Sequence, residues 1–572
     1  MTRAIAIIVT DLDQTRLGLP SRVGHNLAGC SVLEHTVGRI ARVRSIAAIV
    51  VVHPVGQDPR TLVSRYEGRP PLCFCANPDR LLDSYQPMRR AARKWSLSAW
   101  RGGLAGATCY DELLPAAPLV MAMDQQQADA ALLVGADWLL VDPMYCQQVL
   151  DQHLANPEAM AFTFTQAPPG LAGVAIARSL LSELAEKNGL IGQFLSYNPM
   201  AAQADPIGRD VCIQIDGEVR SCNRRFICDT PHSAALIDAL ANALGGQLPD
   251  ADAKAIANAV REIDSESDGT NGNGHIGLNR QVTLELTPQR LATGPVVAQH
   301  HIRFDRDPID LDLAVSIVEQ LGAEGDTVLT LGGLGDALLH EHWLAVVRAA
   351  HRANVLGIAI HTDLIVDQST LAQLIEAPID VVCVRLNADT SRRYHQLMGV
   401  DQFALVMENM RALLNHRFQG IGDTAMEQTD GPASGESSGR LGLPWVVPHL
   451  IKTRENMADM ETFFDRWLHF AQSAVIEPAA TGVGLIPDQS PMSMAPPKRF
   501  GCRQIEHRMT IHSDGTVAQC DQDWLGRASV GDAKTEALSE IWRVMHQRQW
   551  AHRQGQWNDL ALCKDCVEWH RP

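Results

Sequence analysis

Four of the thirteen cysteines, Cys502, Cys520, Cys563 and Cys566, fall in the stretch from Pro497 to Pro572. Cys563-Lys-Asp-Cys566 is a spacing at which one tight turn aims two thiolates at a single centre. Cys502 and Cys520 can complete a four-thiolate set from a neighbouring hairpin. Such a set suits one [4Fe–4S] cluster, with zinc as the alternative occupant and four merely buried cysteines as the bland reading. The remaining N-terminal cysteines, Cys73, Cys75, Cys109, Cys146, Cys212, Cys222 and Cys228, show no ligand spacing and read as ordinary buried thiols.

The elements that must hold the four cysteines are legible nearby. Arg508–His512 alternates as a strand does, Ser513-Asp-Gly515 supplies turn residues, and Thr516–Cys520 returns as a second strand. At the other end of the chain, Ala4–Val9 and Ile46–Val52 are apolar β-branched runs flanking a helical stretch, Val32–Arg44. This β-α-β order predicts a parallel sheet with a nucleotide-sized crevice at its strand ends. Ala251–Ile263 reads as a helix with Asp250 as N-cap, and the polar, glycine-rich run from Asp264 to His275 reads as a linker. Beyond it, strand-like runs at Val282–Leu286, Val328–Leu331, Leu356–His361, Val381–Leu386, Trp445–Ile451 and Ala474–Ile476 alternate with helical stretches such as Leu311–Leu321 and Gln402–Leu414. Six such units predict a partial β/α barrel with its working face at the strand C-termini. Phe418–Arg440 is read as a mobile loop.

Composition narrows the classes. A formal net charge of −17 excludes broad contact with nucleic acid or anionic lipid, which need a basic face. No apolar run is long enough to span a membrane, and the short N-terminal apolar run meets Asp11 and Asp13 at once, unlike a signal peptide. Clustered cysteines without an export signal predict a cytoplasmic protein without disulfides.

Several spaced residues carry resemblances to known families. Cys502, Asp514-Gly515-x-Val517, Cys520-Asp-x-Asp523, Leu538-Ser-Glu-Ile-Trp542, Arg548, His552, Gly555 and Cys563-x-x-Cys566 together resemble the SPASM domain, the iron–sulfur extension of many radical S-adenosylmethionine (SAM) enzymes. A complete SPASM domain has more cysteines and two clusters, so the resemblance implies one cluster here. Thr10–Arg22 with Leu27-Ala-Gly29, Val134–Pro143 and Arg225–Pro231 resemble sugar-activating nucleotidyltransferases of the CMP-Kdo synthetase type. Carried over by position, Asp137 and Asp229 would hold Mg²⁺ against a nucleotide's phosphates, while Arg16 and Arg22 would neutralise the leaving charge. The chain departs from that family in having Asp11 and Asp13 within the phosphate loop and Arg22 in place of a lysine.

The six-unit region followed by the SPASM-like tail resembles a radical SAM barrel. Gly333-Leu-Gly335-Asp336-Ala337 is similar to the Gly-x-Gly-Glu-Pro motif that binds the methionine amine, so Gly333, Gly335 and Asp336 are the implied SAM-contacting residues. The Cys-x3-Cys-x2-Cys loop that holds the SAM-cleaving cluster is missing, with Arg290, Gly294 and Val297 at the matching positions. His300 and His301 are candidate substitutes, although neighbours on a strand point to opposite faces.

The predicted fold class is therefore α/β. Residues 1–245 form a nucleotidyltransferase-like (GT-A/Rossmann-like) domain, 246–278 a helix and flexible linker, 279–490 a degenerate partial (β/α)6 radical SAM-like barrel, and 491–572 a SPASM-like four-cysteine domain. The predicted function is an iron–sulfur protein with a metal-dependent nucleotidyltransferase-like domain that activates a sugar or related acid, without SAM cleavage. The alternative is a binding or scaffold protein with both centres degenerate. Expected partners are a nucleotide or other small molecule and, at the barrel, a peptide or a partner enzyme.

Overall fold

The computed structural model describes residues 2–77, 86–103, 106–113, 116–187, 191–195, 203–266, 281–417, 443–492, 495–499 and 501–570. The expected loop Phe418–Arg440 and most of the expected linker, from Ser267 to His275, lie outside the described residues. The chain divides into two compact units, one ending at Glu266 and the other running from Ser267 to the C-terminus, apart from a short stretch outside the described residues.

The first unit is built on strands β1 (Ala4–Val9), β4 (Ile49–Pro54), β5 (Leu72–Asn77), β6 (Ala130–Gly135), β7 (Phe162–Thr165), β8 (Val174–Ala177) and β9 (Cys212–Ile213). A two-residue hairpin, β2 (Asn26–Leu27) with β3 (Cys30–Ser31), stands apart from the main sheet. Sheet order is β5-β4-β1-β6-β8-β7-β9. The first four strands are parallel, as the β-α-β order predicts, whereas β8 runs antiparallel to both β6 and β7. Strands β1, β4 and β6 are buried throughout, so continuous apolar runs cover two faces at once. The helix Ala253–Glu266 packs through Ala253, Ile256, Ala257 and Val260 into a core with Val32, Tyr145 and Phe226, and so belongs to this unit. Its cap is not Asp250, which sits on the surface paired with Arg42. Asp252 takes the role by accepting from Ala255 N at 2.7 Å, because the helix begins two residues later than the sequence pattern suggests.

The second unit holds a nine-stranded sheet: β10 (Gln281–Leu284), β11 (Val328–Leu331), β12 (Gly357–Thr362), β13 (Val381–Arg385), β14 (Trp445–Lys452), β15 (Val475–Pro478), β16 (Arg508–Ile511), β17 (Thr516–Ala518) and β18 (Gly531–Asp532). From β10 to β15, sheet order follows chain order and every pairing is parallel. The helix Leu311–Glu324 between β10 and β11 shows why such a unit forms. Asp310 caps it by accepting from Asp312 N and Leu313 N, and Gly325 ends it at φ 80°, a left-handed position that suits glycine.

The expected hairpin forms as β16 and β17, and β16 adds in parallel to the free edge of β10, with Val282 opposite Met509 and Leu284 opposite Ile511. One apolar core then runs from Leu284 and Leu329 to Met509, Val517 and Trp542. On β12 to β15, alternate residues Ile360, Val384, Leu450 and Ile476 face that core. The intervening residues His361, Cys383, Arg385, His449 and Glu477 therefore share the opposite face, because side chains alternate along a strand.

Candidate functional site

Tail first, the four cysteines meet four different supports. Cys502 stands at the N-cap of the short helix Arg503–His507, where the backbone amides of Gln504 and Ile505 favour its thiolate. Its own N–H donates to His552 Nδ1 at 3.2 Å. Cys520 follows β17, and the Gln522 amide favours its thiolate. Cys563 opens a one-turn 3-10 helix ending at Asp565 and accepts from Gln519 Nε2 at 2.9 Å, while Cys566 accepts from Glu568 N at 3.3 Å. Burial nevertheless pushes all four thiols up, Cys502 to about 12 and Cys563 to about 11. Mutual repulsion adds to this, since Cys566 acts on both Cys502 and Cys563. Arg499 and Arg548 act in the opposite sense on Cys563.

This donor set fits a thiolate-bound cluster. Cys563 and Cys566 each accept from an N–H donor, backbone amides favour the thiolates of Cys502 and Cys520, cations stand by, and loss of the thiol protons on metal binding would relieve the cost of burial. Among the described residues, no group of three or more His, Cys, Asp and Glu side chains is arranged to hold a single metal ion.

In the first unit a crevice opens at the C-terminal ends of β1 and β6, where Arg16, Glu112, Asp137 and Asp229 line it together with Thr15 and Ser21. Asp11 also faces it, but the Asp11 carboxylate is engaged by the Asp13 and Gln14 amides and by Gln57 Nε2. Arg22 does not line the crevice; it lies near Cys228, whose thiol it acts on. Burial lowers Arg16 from its ordinary value, while Asp11, Asp137 and Glu112 oppose that shift. The Arg16 guanidinium forms no hydrogen bond or ion pair with the described residues.

The residue that sequence reading missed here is Arg225. Its side chain is fully buried and clamps both oxygens of Asp229, one through Nε at 3.0 Å and the other through Nη2. It also donates to Glu112 at 2.9 Å, and Glu112 in turn pairs with buried Arg93 at 3.0 Å. Burial alone would raise Glu112, but Arg225 and Arg93 hold it below its usual value. Burial and the neighbouring Asp229 push Asp137 up to about 7. Arg225 already holds both oxygens of Asp229, so a metal ion there would have to displace that guanidinium. Arg225 lay within the quoted motif, but nothing in its spacing marks it as the partner of Asp229.

In the second unit the Gly333–Asp336 segment follows β11, as expected, but its acceptors are taken. The carbonyls of Gly333 and Gly335 accept from Arg385 at 2.6 and 2.8 Å. Asp336 accepts from Thr362 Oγ1, Asp363 N and Leu338 N, while burial and Asp363 push it up to about 6. Arg290 is ion-paired with Asp363, with Nε donating at 2.9 Å. At Gly294 a Cβ would stand 2.2 Å from Leu397 O, and Val297 is fully buried in the core. His300 and His301 lie on a one-turn helix, not a strand, and bond the carbonyls of Thr293 and Pro295.

Comparison with known proteins places one segment. Residues 502–567 match the SPASM family, an iron–sulfur cluster-binding domain. A curated relative from Treponema pallidum (strain Nichols), described as an uncharacterized protein, is 28% identical over 133 residues, which are 23% of this chain and 35% of that relative. The chain thus spans about a third of the length of the curated relative it matches. Among solved structures, SuiB of Streptococcus suis bound to S-adenosylmethionine is similar at 12% identity and a TM-score of 0.41, covering 55% of this chain and 77% of that one. BtrN in complex with AdoMet and 2-DOIA is 14% identical with a TM-score of 0.33, covering 50% and 93% of the respective chains. A cytidylyltransferase from Leptospira borgpetersenii serovar Hardjo-bovis (strain JB197) is 12% identical with a TM-score of 0.32, covering 46% and 96%. All three TM-scores are below 0.5, and nothing about this chain rests on them. No helix among the described residues is long and apolar enough to cross a membrane.

Proposed function

We propose that the chain is an iron–sulfur protein in which Cys502, Cys520, Cys563 and Cys566 hold one [4Fe–4S] cluster, and that its second unit does not cleave SAM. The carrying observation is the set of four cysteines inside the matched SPASM segment, with Gln519 Nε2 donating to Cys563 and the Glu568 amide to Cys566. A cluster bound by four thiolates supplies one-electron transfer or structural cross-linking and leaves no open iron for SAM. The positions of the missing Cys-x3-Cys-x2-Cys loop support the second half of the reading, because they are filled by the Arg290–Asp363 pair, a tightly packed Gly294 and a core valine. Arg385 and the three donors to Asp336 likewise occupy the groups that would receive a methionine amine. Iron, sulfide and zinc analysis of anaerobically purified protein tests the first half: about four irons with matching sulfide are expected, and one zinc without sulfide overturns it. Formation of 5′-deoxyadenosine in proportion to protein, on incubation with dithionite and SAM, would overturn the second.

A second reading concerns the first unit, whose crevice presents the guanidinium of Arg16, unpaired among the described residues, near Asp137. We infer that it binds a nucleotide, with Arg16 on the phosphates. Activation of a sugar or related acid there would require Arg225 to release Asp229. A thermal-shift panel of the four nucleoside triphosphates, with and without Mg²⁺, is the test, since a ligand bound only by the folded state raises apparent stability. A response without Mg²⁺ that is lost in Arg16→Ala is expected, and no response to any nucleotide would sink the reading.

A further inference from the structure

The inner face of the second sheet carries a group of side chains that neither reading uses. His361 on β12 lies directly opposite Cys383 on β13, and Arg385 on β13 lies opposite His449 on β14. The rings of His361 and His449 stand 5.7 Å apart, with the Cys383 thiol against both. His449 Nδ1 pairs with Glu477 Oε1 at 3.0 Å across to β15. Its other ring nitrogen, Nε2, is buried and has no hydrogen-bond partner, sulfur included, among the described residues.

We propose that Cys383, His449 and Glu477, with His361 alongside, form a nucleophilic thiolate centre for small molecules that bear an electrophilic acyl or alkyl carbon. The thiol proton passes to His449 Nε2, and Glu477 at Nδ1 stabilises the imidazolium. The thiolate then attacks, forming a C–S bond as the bond to the leaving group breaks. The proton on Nε2 goes to the leaving group, so no oxidant or reductant is needed. The charged groups facing the site agree with this polarity. His361 and His449 act on the Cys383 thiol in the sense that favours its thiolate, and Glu477 favours the imidazolium of His449, while Arg385, two residues further along β13, is faced by Asp336, Asp363 and Glu477.

Burial alone would raise Cys383, yet the two imidazoles hold it at about 6. Burial alone would lower His449, yet Cys383 and Glu477 raise it to about 10. The ion pair therefore exists between those two values. By contrast, burial pushes Cys109, Cys146 and Cys228 up to about 12, so the centre differs sharply from the ordinary core thiols of the same chain.

Rate alone would test this poorly, because a thiolate loses nucleophilicity as its pKa falls. The pH midpoint is the better readout. Full-length, anaerobically purified protein is alkylated with iodoacetamide across the pH range, and each cysteine is followed by peptide mass spectrometry. The expected midpoint for Cys383 is near 6, roughly two units below an ordinary thiol, and His449→Gln should raise it by about one unit or more. The difference in 240 nm absorbance between native protein and Cys383→Ser reads the same midpoint independently, and a Cys383 that iodoacetamide modifies at no pH overturns the proposal, because a centre for small electrophiles must admit one. A midpoint at or above about 8 by either readout, or one that His449→Gln leaves in place, overturns the proposal.

Discussion

Asp137 shows how a single carboxyl can set the pH response of a unit. Burial and Asp229 raise it to about 7, so its contribution runs opposite to that of a salt-bridged aspartate. Relative to an unfolded chain, the folded state is favoured while the group keeps its proton, and that advantage is lost as pH rises through 7. Asp137→Asn should therefore stabilise the first unit at pH 8 by roughly 1–2 kcal/mol, allowing for the partial exposure of the side chain, and by roughly half of that or less at pH 5. Thermal unfolding of the variant at both pH values checks this, and an equal gain at both would refute the assignment. Arg225 is the counter-case, since a buried guanidinium shared by Asp229 and Glu112 balances charges that neither acid could leave uncompensated.

At the scale of elements, the turn after β10 is held by close backbone packing. Thr293 N and Gly294 N both donate to Met398 O, and a Cβ on Gly294 would meet Leu397 O at 2.2 Å and Gly399 N at 2.5 Å. Backbone on both sides leaves no flexible atom to yield. Gly294→Ala should cost the second unit about 3 kcal/mol, measured by chemical denaturation. The triple change Arg290→Cys, Gly294→Cys, Val297→Cys should give a poorly folded chain and no additional iron. A stable triple variant that binds a second cluster would show that the loop had lost only its ligands.

For the whole molecule, the hairpin of the tail is not an appendage to the second unit but a continuation of its sheet through β10 and β16. Cys520 lies just past β17, so a cluster there would hold the hairpin to the Cys563–Cys566 turn. Cys563→Ser with Cys566→Ser should lose the metal and loosen the region around residues 500–570, and the disturbance should reach the β10 edge. The first unit has its own cores, built on Ile7 and Leu133 and on Phe226 and Ile256, and should be spared. Limited proteolysis followed by mass spectrometry checks this: new cleavages should fall in the second unit, and equal loss of both units would contradict it.

The sequence by itself determined what local pattern can carry. Apolar β-branched runs placed β1, β11 and β14, the turn at Ser513–Gly515 placed the hairpin, and spacing marked the four tail cysteines. It also exposed the missing cysteine loop, because an absent residue type needs no geometry to be seen. What only the tertiary structure decided concerns pairs far apart in the chain. His361 and Cys383 meet because parallel strands bring distant segments into register, while Arg225 with Glu112 and Arg290 with Asp363 meet through segments outside the strands. Single polar residues inside strands, such as His361, Cys383 and His449, signal an inward face but not their partners. Whether a carboxylate is free, paired or protonated depends on burial and on neighbours a hundred residues away, and no local spacing records either.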